Sequence, residues 1–301
     1  MLRLASIGLL SGAMCAAGVA TLNAQQEQAA PPRTPGAVTS PGNAKWASTP
    51  DEAKALAAAG GKFVYLEFDR PECGQCQRMD ALLYPAFDFE ALLISMVPVK
   101  LSLDSSEGRE LGRRYGIRET PAVLITTAEG RIVFLMQGGF TGTNEFYQHV
   151  RQDLAAYRAF SKRIEGQDLK TLAPKEALDT GRELYQRSDP AAALPRLRRA
   201  VSAQSATPAV RDEAREILAA VELDLGTVAE SRRTIDRLIQ TTKDPRRRER
   251  AELFRAQIPL AENKPAEALA LFRKFEKDHP NSPYTEQVRA MLSRLTEPAP
   301  K

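Results

Sequence analysis

The sequence predicts two folded parts, an α/β domain with a central mixed sheet flanked by helices and an all-α region of helical hairpins. Three observations support this division. Strand-like and helix-like segments alternate up to about residue 160, strand signals fade after residue 162, and the second half repeats every 37 residues. A chain of 301 residues has room for two domains of ordinary size.

The first 24 residues are predicted to form a signal peptide. Arg3 supplies a positive start, residues 4–22 are apolar or small, and Ala24 suits a cleavage point. The apolar stretch is also long enough for an uncleaved membrane anchor, so that alternative stays open. Residues 25–44 contain four prolines and no hydrophobic period, which predicts a flexible linker. We therefore expect a periplasmic or otherwise exported protein.

Residues 45–162 are predicted to form the α/β domain. A capping box at Thr49-Pro50-Asp51-Glu52 begins the first helix, and Gly60-Gly61 ends it. The apolar run at 63–68 predicts a buried strand, which a helix at 76–83 follows. The remaining elements are predicted as helices at 89–96, 107–115 and 143–160 and strands at 97–103, 122–126 and 132–137.

Residues 168–296 show an internal repeat, anchored by three alanines that are 37 residues apart, Ala192, Ala229 and Ala266. Apolar residues recur eight positions before and nine positions after each anchor, namely Leu184, Val221 and Ile258, and Val201, Leu238 and Phe275. Turn-forming residues recur between them, at 189–190, 226–227 and 263–265. This pattern predicts stacked helical hairpins similar to tetratricopeptide repeats (TPR-like), whose period is about 34 residues.

The charge balance predicts no nucleic-acid partner. The 42 basic and 38 acidic residues give a formal net charge of +4, without a broad electrostatic footprint. The densest basic run, at 246–250, is interpreted as solvated charge on an exposed helix face.

Removal of the signal peptide leaves two cysteines, Cys73 and Cys76. They are too close in sequence to close a long stabilising loop, which argues against a purely structural disulfide. Zinc needs about four ligands, and only His149 and His279 add to the two thiols, so we expect no metal site. An exported chain with a lone CxxC pair favours redox exchange.

The placement of the two cysteines supports the same chemistry. Cys73 ends the loop after a predicted strand, and Cys76 opens a predicted helix. The unsatisfied amides and the positive end of the helix dipole favour the thiolate of Cys73. Cys76 is then expected to lie deeper, ready to attack a mixed disulfide formed at Cys73.

A series of motifs resembles the thioredoxin superfamily over roughly residues 45–160. The motifs are Tyr65-Leu66-Glu67-Phe68, Cys73-Gly74-Gln75-Cys76, Lys100-Leu101-Ser102-Leu103-Asp104, Tyr115-Gly116-Ile117-Arg118-Glu119-Thr120-Pro121 and Gly138-Gly139. Their order and spacing match the family. The resemblance implies a thioredoxin-like fold, with Cys73 as the attacking cysteine and Cys76 as the resolving cysteine.

The resemblance also implies roles for residues outside the cysteine pair. Glu67 matches a buried acid that shuttles protons near the resolving thiol, and Lys100 matches a lysine near that acid. Thr120-Pro121 matches a cis-proline that exposes backbone to an extended substrate. From the residues alone, alternatives stay open: Glu67 facing solvent at a sheet edge, Lys100 as an ordinary surface lysine, and Pro121 as a plain strand-entry proline.

Two departures from the family pattern leave the direction of electron flow open. Pro71-Glu72 replaces the usual tryptophan, and Gly74-Gln75 replaces the usual Gly-Pro between the cysteines. Glu72 disfavours a neighbouring thiolate, whereas Arg70 is able to offset it. Reductant, oxidant and isomerase all remain possible roles.

The sequence therefore predicts an exported thiol–disulfide oxidoreductase that needs no cofactor beyond its own cysteine pair. The expected partners are exported protein thiols or disulfides, an unidentified redox donor, and a protein held by the helical repeats. Membrane contact is expected only if the signal segment is uncleaved. The alternative is a non-catalytic envelope adaptor that uses the α/β domain as a binding module.

Overall fold

The computed structural model describes residues 45–296. The predicted signal peptide and linker lie outside this range. None of the helices formed by residues 45–296 has the length and apolar character that a membrane crossing requires.

The α/β part begins with elements that alternate as predicted. They are α1 (Pro50–Gly60), β1 (Phe63–Asp69), α2 (Gly74–Leu83), α3 (Phe87–Leu93), β2 (Met96–Ser102), α4 (Ser106–Tyr115), β3 (Ala122–Thr126), β4 (Ile132–Gln137) and α5 (Thr143–Glu165). The strands form one sheet in the order β2-β1-β3-β4. Because β1 is parallel to β2 and antiparallel to β3, the sheet is mixed, and the predicted fold class is confirmed.

Helices cover both faces of this sheet. Val64, Leu66 and Phe68 belong to the cluster packed under α1 and α4, whereas Tyr65 belongs to the cluster under α2, α3 and α5. Side chains alternate along a strand, so Glu67 lies on the same face as Tyr65, the face that α2 covers. The strand order therefore places an acid at the centre of the sheet, beneath the helix that carries Cys76.

Two predicted helices in this part end at the wrong residue. The helix expected at 89–96 is α3, which ends at Leu93, and Met96 instead pairs with Phe63 in the sheet. The apolar run from 91 to 99 fits a buried helix and a buried strand equally well, and the pairing with β1 decides between them. The last helix runs on to Glu165, five residues past its expected end, because Tyr157, Phe160 and partly buried Ile164 pack along one face.

The repeat part consists of helices alone within the described residues. They are α6 (Pro174–Gln186), α7 (Pro190–Ser202), α8 (Pro208–Asp224), α9 (Val228–Thr241), α10 (Pro245–Ala261), α11 (Pro265–Asp278) and α12 (Thr285–Thr296). Short turns join α6 to α7, α8 to α9 and α10 to α11. The middle residue of each turn has a positive φ, 61° at Ser188, 77° at Gly226 and 57° at Asn263. The predicted turns therefore end three helices in the same way.

The 37-residue register holds for the first helix of each hairpin and fails in part for the second. Leu184, Val221 and Ile258 are fully buried, as the alignment predicts. However, α7 begins at Pro190 and α9 at Val228, 38 residues later. The buried counterpart of Leu238 and Phe275 is consequently Ala200 rather than Val201.

The alanine anchors are likewise shifted from the true contact positions. Ala229 and Ala266 are exposed. The fourth residue of each second helix is a small, fully buried side chain instead, namely Ala193, Ser231 and Ala268. Small residues at these points allow the paired helices to approach closely.

The basic run at 246–250 is not simply solvated charge, so that interpretation is wrong. Arg247 and Arg250, three residues apart on α10, both bind Glu216 of α8. The side chain of Glu216 is only 9% exposed. Two of the four arginines in this run therefore join neighbouring hairpins.

The repeats contact the sheet at the start of β4. The Ile132 amide donates to the Arg187 carbonyl at 2.8 Å, and Nη1 of Arg187 donates to the Ile132 carbonyl at 3.0 Å. The Arg187 guanidinium lies 5.3 Å and 5.2 Å from the ring centres of Tyr157 and Phe160. An ion pair also joins Arg131 to Asp189 at 2.5 Å.

This junction lies far from the cysteines. Ile132 on β4 pairs with Thr126 on β3, and Thr126 lies beside the beginning of β1. Gln137 pairs in the same way with Ala122, which lies beside the end of β1. Five strand residues separate the two ends, a distance of about 17 Å. The repeats therefore hold the end of the sheet opposite to Cys73.

Candidate active site

The cysteine pair lies where β1 gives way to α2. Cys73 is the N-cap residue of α2, and its Sγ accepts a hydrogen bond from the Cys76 amide at 3.1 Å. The two sulfurs form a disulfide, with Cα atoms 5.2 Å apart. Cys73 is partly exposed, whereas Cys76 is 3% exposed. One sulfur is therefore accessible to a partner and the other is shielded by the protein.

The local backbone favours a charged sulfur at Cys73. The N-terminus of α2 adds the positive potential of the helix dipole at this point. Of its first amides, that of Cys76 lies 3.1 Å from the Cys73 carbonyl. The Cys76 amide already faces the Cys73 sulfur in the disulfide form. In the reduced form the same donor would stabilise the thiolate of Cys73.

An open depression surrounds the exposed sulfur. It is lined by Arg70, Glu72, Cys73, Gly74, Gln75 and Thr120. Gly74 and Gln75 are both exposed, so they form the outer surface between the cysteines. Arg70 lies 3.7 Å from Asp104, and both side chains are mostly exposed. The rim next to Cys73 is consequently polar and charged on the side where the family usually has a tryptophan.

The Thr120–Pro121 peptide bond is cis. Pro121 is buried directly before β3, and its carbonyl accepts a hydrogen bond from the Gly138 amide at 2.8 Å. Gly138 has a φ of 61°, and a Cβ there would lie 2.7 Å from Oε2 of Glu119. The positive φ favours glycine in the loop that holds this proline, and Thr120 reaches the depression around Cys73.

Glu67 is fully buried on β1, between β2 and β3, so it does not lie at a solvent-facing edge. Its Oε1 accepts hydrogen bonds from Lys100 at 2.6 Å and from the Tyr84 hydroxyl at 3.0 Å. Its Oε2 accepts from the Tyr65 hydroxyl at 3.3 Å. Burial raises the pKa of Glu67 to about 7, against the attraction of Lys100 and with added repulsion from Asp80.

Lys100 is the centre of a charged cluster rather than a surface lysine. Its side chain is 16% exposed, and its Nζ lies 2.7 Å from Asp80 and 3.6 Å from Asp69. It also donates to the Tyr84 hydroxyl at 3.2 Å. Burial lowers the pKa of Lys100, but Glu67 and Asp80 outweigh it and raise the pKa above its usual value.

Four members of this cluster were missed by sequence reasoning: Tyr65, Asp69, Asp80 and Tyr84. Asp80 and Tyr84 follow Cys76 by four and eight residues, a spacing that places them on the same side of a helix. Asp69 and Tyr65 stand two residues from Glu67 along β1, on the same side of the strand. Both signals were present in the sequence once the helix and strand were assigned.

The cluster can hold and release a proton next to the redox helix. Three carboxyl groups share one ammonium, and the fully buried one has a pKa close to neutrality. Among residues 45–296, no group of three or more His, Cys, Asp or Glu side chains is arranged to hold a metal ion. The chemistry that the described residues support is proton transfer coupled to thiol exchange.

Three features define a thioredoxin-like protein: the mixed sheet, the CxxC at a helix N-terminus, and a cis Thr120–Pro121 bond whose Thr120 lines the depression around Cys73. Residues 50–153 match the sequence profile of the thioredoxin-like domain family. Through this domain, the chain belongs to the thioredoxin superfamily.

Two solved structures are similar to this part of the chain. A thioredoxin from Thermus thermophilus is 31% identical, and the match covers 36% of this chain and 85% of that one, with a TM-score of 0.33. A DsbH oxidoreductase is 18% identical, and the match covers 45% of this chain and 95% of that one, with a TM-score of 0.34. No curated protein matches the chain.

Proposed function

We propose that this chain is an exported thiol–disulfide oxidoreductase whose redox centre is the Cys73–Cys76 pair. The observation that carries the proposal is the unequal setting of the two sulfurs. Cys73 lies partly exposed at the N-terminus of α2, whereas Cys76 is buried on the helix that covers Glu67. This is the arrangement that an attacking and a resolving thiol require.

In the reducing direction, the Cys73 thiolate attacks one sulfur of a substrate disulfide. A Cys73–substrate bond forms, the substrate S–S bond breaks, and the departing thiolate takes a proton from water. The Cys76 thiol then gives its proton to the Glu67 carboxylate and attacks the Cys73 sulfur. The intramolecular disulfide forms, the second substrate thiolate leaves, and two electrons have passed to the substrate. In the oxidising direction each step is reversed, and Glu67 returns the proton to Cys76.

The proposed substrates are thiols or disulfides of exported proteins. Thr120 and the cis-Pro121 bond stand beside the depression around Cys73, where an extended peptide can form main-chain hydrogen bonds. Recognition through the main chain tolerates many side chains. A charged rim with Arg70 and Glu72 would then modulate which flanking residues are accepted.

The experiment that tests the function is a redox titration of the mature protein in glutathione buffers, with trapping of free thiols. A potential near about −270 mV would define a reductant, and one near about −120 mV would define an oxidant. In turnover assays with a disulfide substrate, Cys73→Ser should abolish activity, and Cys76→Ser should accumulate a mixed disulfide at Cys73. A wild-type pair that does not cycle would refute the proposal.

A non-catalytic adaptor is the second candidate, because the repeats meet the sheet at the end opposite to Cys73. In that case the repeats would bind a protein partner without help from the disulfide. Tight binding of a partner by a wild-type protein with no disulfide exchange would favour the adaptor. Loss of exchange in Cys73→Ser, with partner binding intact, would favour the enzyme.

The export part of the proposal rests on the N-terminal sequence. Cell fractionation and N-terminal sequencing of the mature chain test it. A soluble exported form that begins at Gln25 is expected, and a form retained in the membrane with residues 1–24 intact would indicate an anchor.

A further inference from the structure

Of the three carboxylates around Lys100, two lie within hydrogen-bond distance of its ammonium. Its Nζ lies 2.6 Å from Glu67 and 2.7 Å from Asp80, and its third contact is the Tyr84 hydroxyl at 3.2 Å. An ammonium group has three donors, so these contacts use all of them. The single positive charge of Lys100 is therefore shared between Glu67 and Asp80.

The second oxygen of Asp80 has an unusual setting for a carboxylate. Among residues 45–296, no hydrogen-bond donor is placed on Oδ1 of Asp80, although this atom is buried. A buried carboxylate oxygen without a donor is costly, and such groups concentrate where a structure serves chemistry. Asp80 also lies one helical turn after Cys76, on the helix that covers Glu67.

We propose that Asp80 is a positioning residue of the redox site, which binds Lys100 and thereby keeps Glu67 basic enough to accept the proton of Cys76. The proposal rests on the thiol–disulfide function proposed above. Asp80 itself exchanges no proton with substrate, and it acts through Lys100 and through its own negative charge.

The other groups that face Glu67 are consistent with this role. On β1 the neighbouring polar group is Tyr65, and at the end of α2 it is Tyr84; both are neutral donors. On β3 the residue paired with Glu67 is apolar Val123. Burial raises the pKa of Glu67, Lys100 lowers it and Asp80 raises it, so Asp80 is the charged group that opposes Lys100 most directly.

The test is a pH titration of the Glu67 carboxyl carbon by ¹³C NMR in the oxidised full-length protein. Glu67→Gln identifies the resonance. Asp80→Asn removes one negative charge, so that the positive charge of Lys100 is no longer shared with Asp80 and acts more strongly on Glu67. The midpoint of the Glu67 titration should therefore fall by about one pH unit or more. Asp80→Glu should keep the midpoint near the wild-type value.

Asp69→Asn is the matched control. Asp69 is also an acid near Lys100, but it lies at 3.6 Å and is 28% exposed, so its removal should shift the midpoint by less than half as much. In Lys100→Met, the midpoint should rise, and adding Asp80→Asn should then produce a smaller shift than in the wild type. If Asp80→Asn alone does not fold, the other variants still test the proposal.

Reduced activity alone would not decide the question, since a structural residue also affects rate. A midpoint that is unchanged in Asp80→Asn, or an equal shift in Asp69→Asn, would overturn the proposal. So would an undiminished Asp80→Asn shift in the Lys100→Met background. The titration needs no substrate, so a wild type without thiol exchange would refute the proposed function and leave the role of Asp80 separately measurable.

Discussion

Two buried carboxylates of this protein, Glu67 in the sheet and Glu216 on α8, are surrounded by charge in opposite ways. Glu216 receives three hydrogen bonds from Arg247 and Arg250, so two cations serve one acid. Glu67 shares the single cation of Lys100 with Asp80 and Asp69. A buried acid that two cations contact belongs to a structural ion-pair network, whereas one that shares a single cation with other acids can change its protonation. The difference separates a structural ion pair from a group suited to chemistry.

The first test of this comparison removes Glu216, the acid that two arginines contact. Glu216→Ala leaves Arg247 and Arg250 partly buried without their partner, and we expect the free energy of unfolding to fall by about 3 kcal/mol. Urea unfolding of the oxidised protein measures it. The control is Glu213→Ala, whose more exposed pair with Arg182 should contribute less than about 1 kcal/mol. Equal effects would show that burial of the pair does not matter.

Removing Glu67, the acid that shares one cation with other acids, should affect the rate of thiol–disulfide exchange more than the stability of the fold. Glu67→Gln cannot accept the proton of Cys76, so the resolving step at pH 7 should slow by about 100-fold. The measurement is the decay of a mixed disulfide formed at Cys73, followed by stopped-flow with a chromogenic thiol leaving group. A rate within threefold of the wild type would exclude Glu67 as the proton acceptor.

The same substitution should increase stability at high pH. The pKa of Glu67 is about 7 in the folded protein against an ordinary value of 4.5, so the folded state binds the proton more tightly. The stabilisation is complete below pH 4.5 and is lost as the pH rises through 7. Glu67→Gln removes this loss, and it should be about 1–2 kcal/mol more stable than the wild type at pH 8, after allowance for weaker hydrogen bonds.

Unfolding of both proteins by urea at pH 5 and pH 8, in the oxidised form, measures that difference. The advantage of Glu67→Gln should shrink or disappear at pH 5. A wild type that is more stable at pH 8 than the Gln variant would mean that Lys100 stabilises the anion more than burial opposes it.

The smallest change is expected at the junction between the two parts. Arg187→Ala removes the contacts with Ile132, Tyr157 and Phe160 and should lower the unfolding free energy by about 1–2 kcal/mol. Because the junction lies at the far end of the sheet, the reduction potential should move by less than about 10 mV.

Glu72→Gln is the positive control for that measurement. It removes a negative charge next to Cys73, favours the thiolate and should raise the potential by about 10–30 mV. A larger shift in Arg187→Ala than in Glu72→Gln would show that the repeats are coupled to the redox centre.

Local patterns carried most of the sequence prediction. Half of the predicted capping box forms, with Oγ1 of Thr49 accepting from the Glu52 amide at 3.1 Å, whereas the Glu52 carboxylate accepts from the Ser48 amide rather than from that of Thr49. The two cysteines and the Thr120–Pro121 bond were found from short motifs, because each depends on the backbone of a few neighbouring residues. The roles assigned to these residues remain predictions.

What the sequence did not reveal depends on contacts between distant segments. Asp80 joined the Glu67 cluster only because α2 packs on β1 and β2 brings Lys100 between them. Arg250 was assigned to solvent because its partner Glu216 lies 34 residues away in the chain. The shift from Val201 to Ala200 follows from one additional residue within the second hairpin, which a fixed period cannot detect.

The contact between Ile132 and Arg187 also has a consequence for solubility. Ile132 opens the outermost strand on one side of the sheet, and both of its main-chain polar groups are occupied by Arg187. On the opposite edge, Pro98 has no amide hydrogen to offer, and its carbonyl accepts from the Ala47 amide. An exposed sheet edge is a template for strand addition by a partly unfolded chain. With both edges blocked at these points, the sheet is protected there from strand addition.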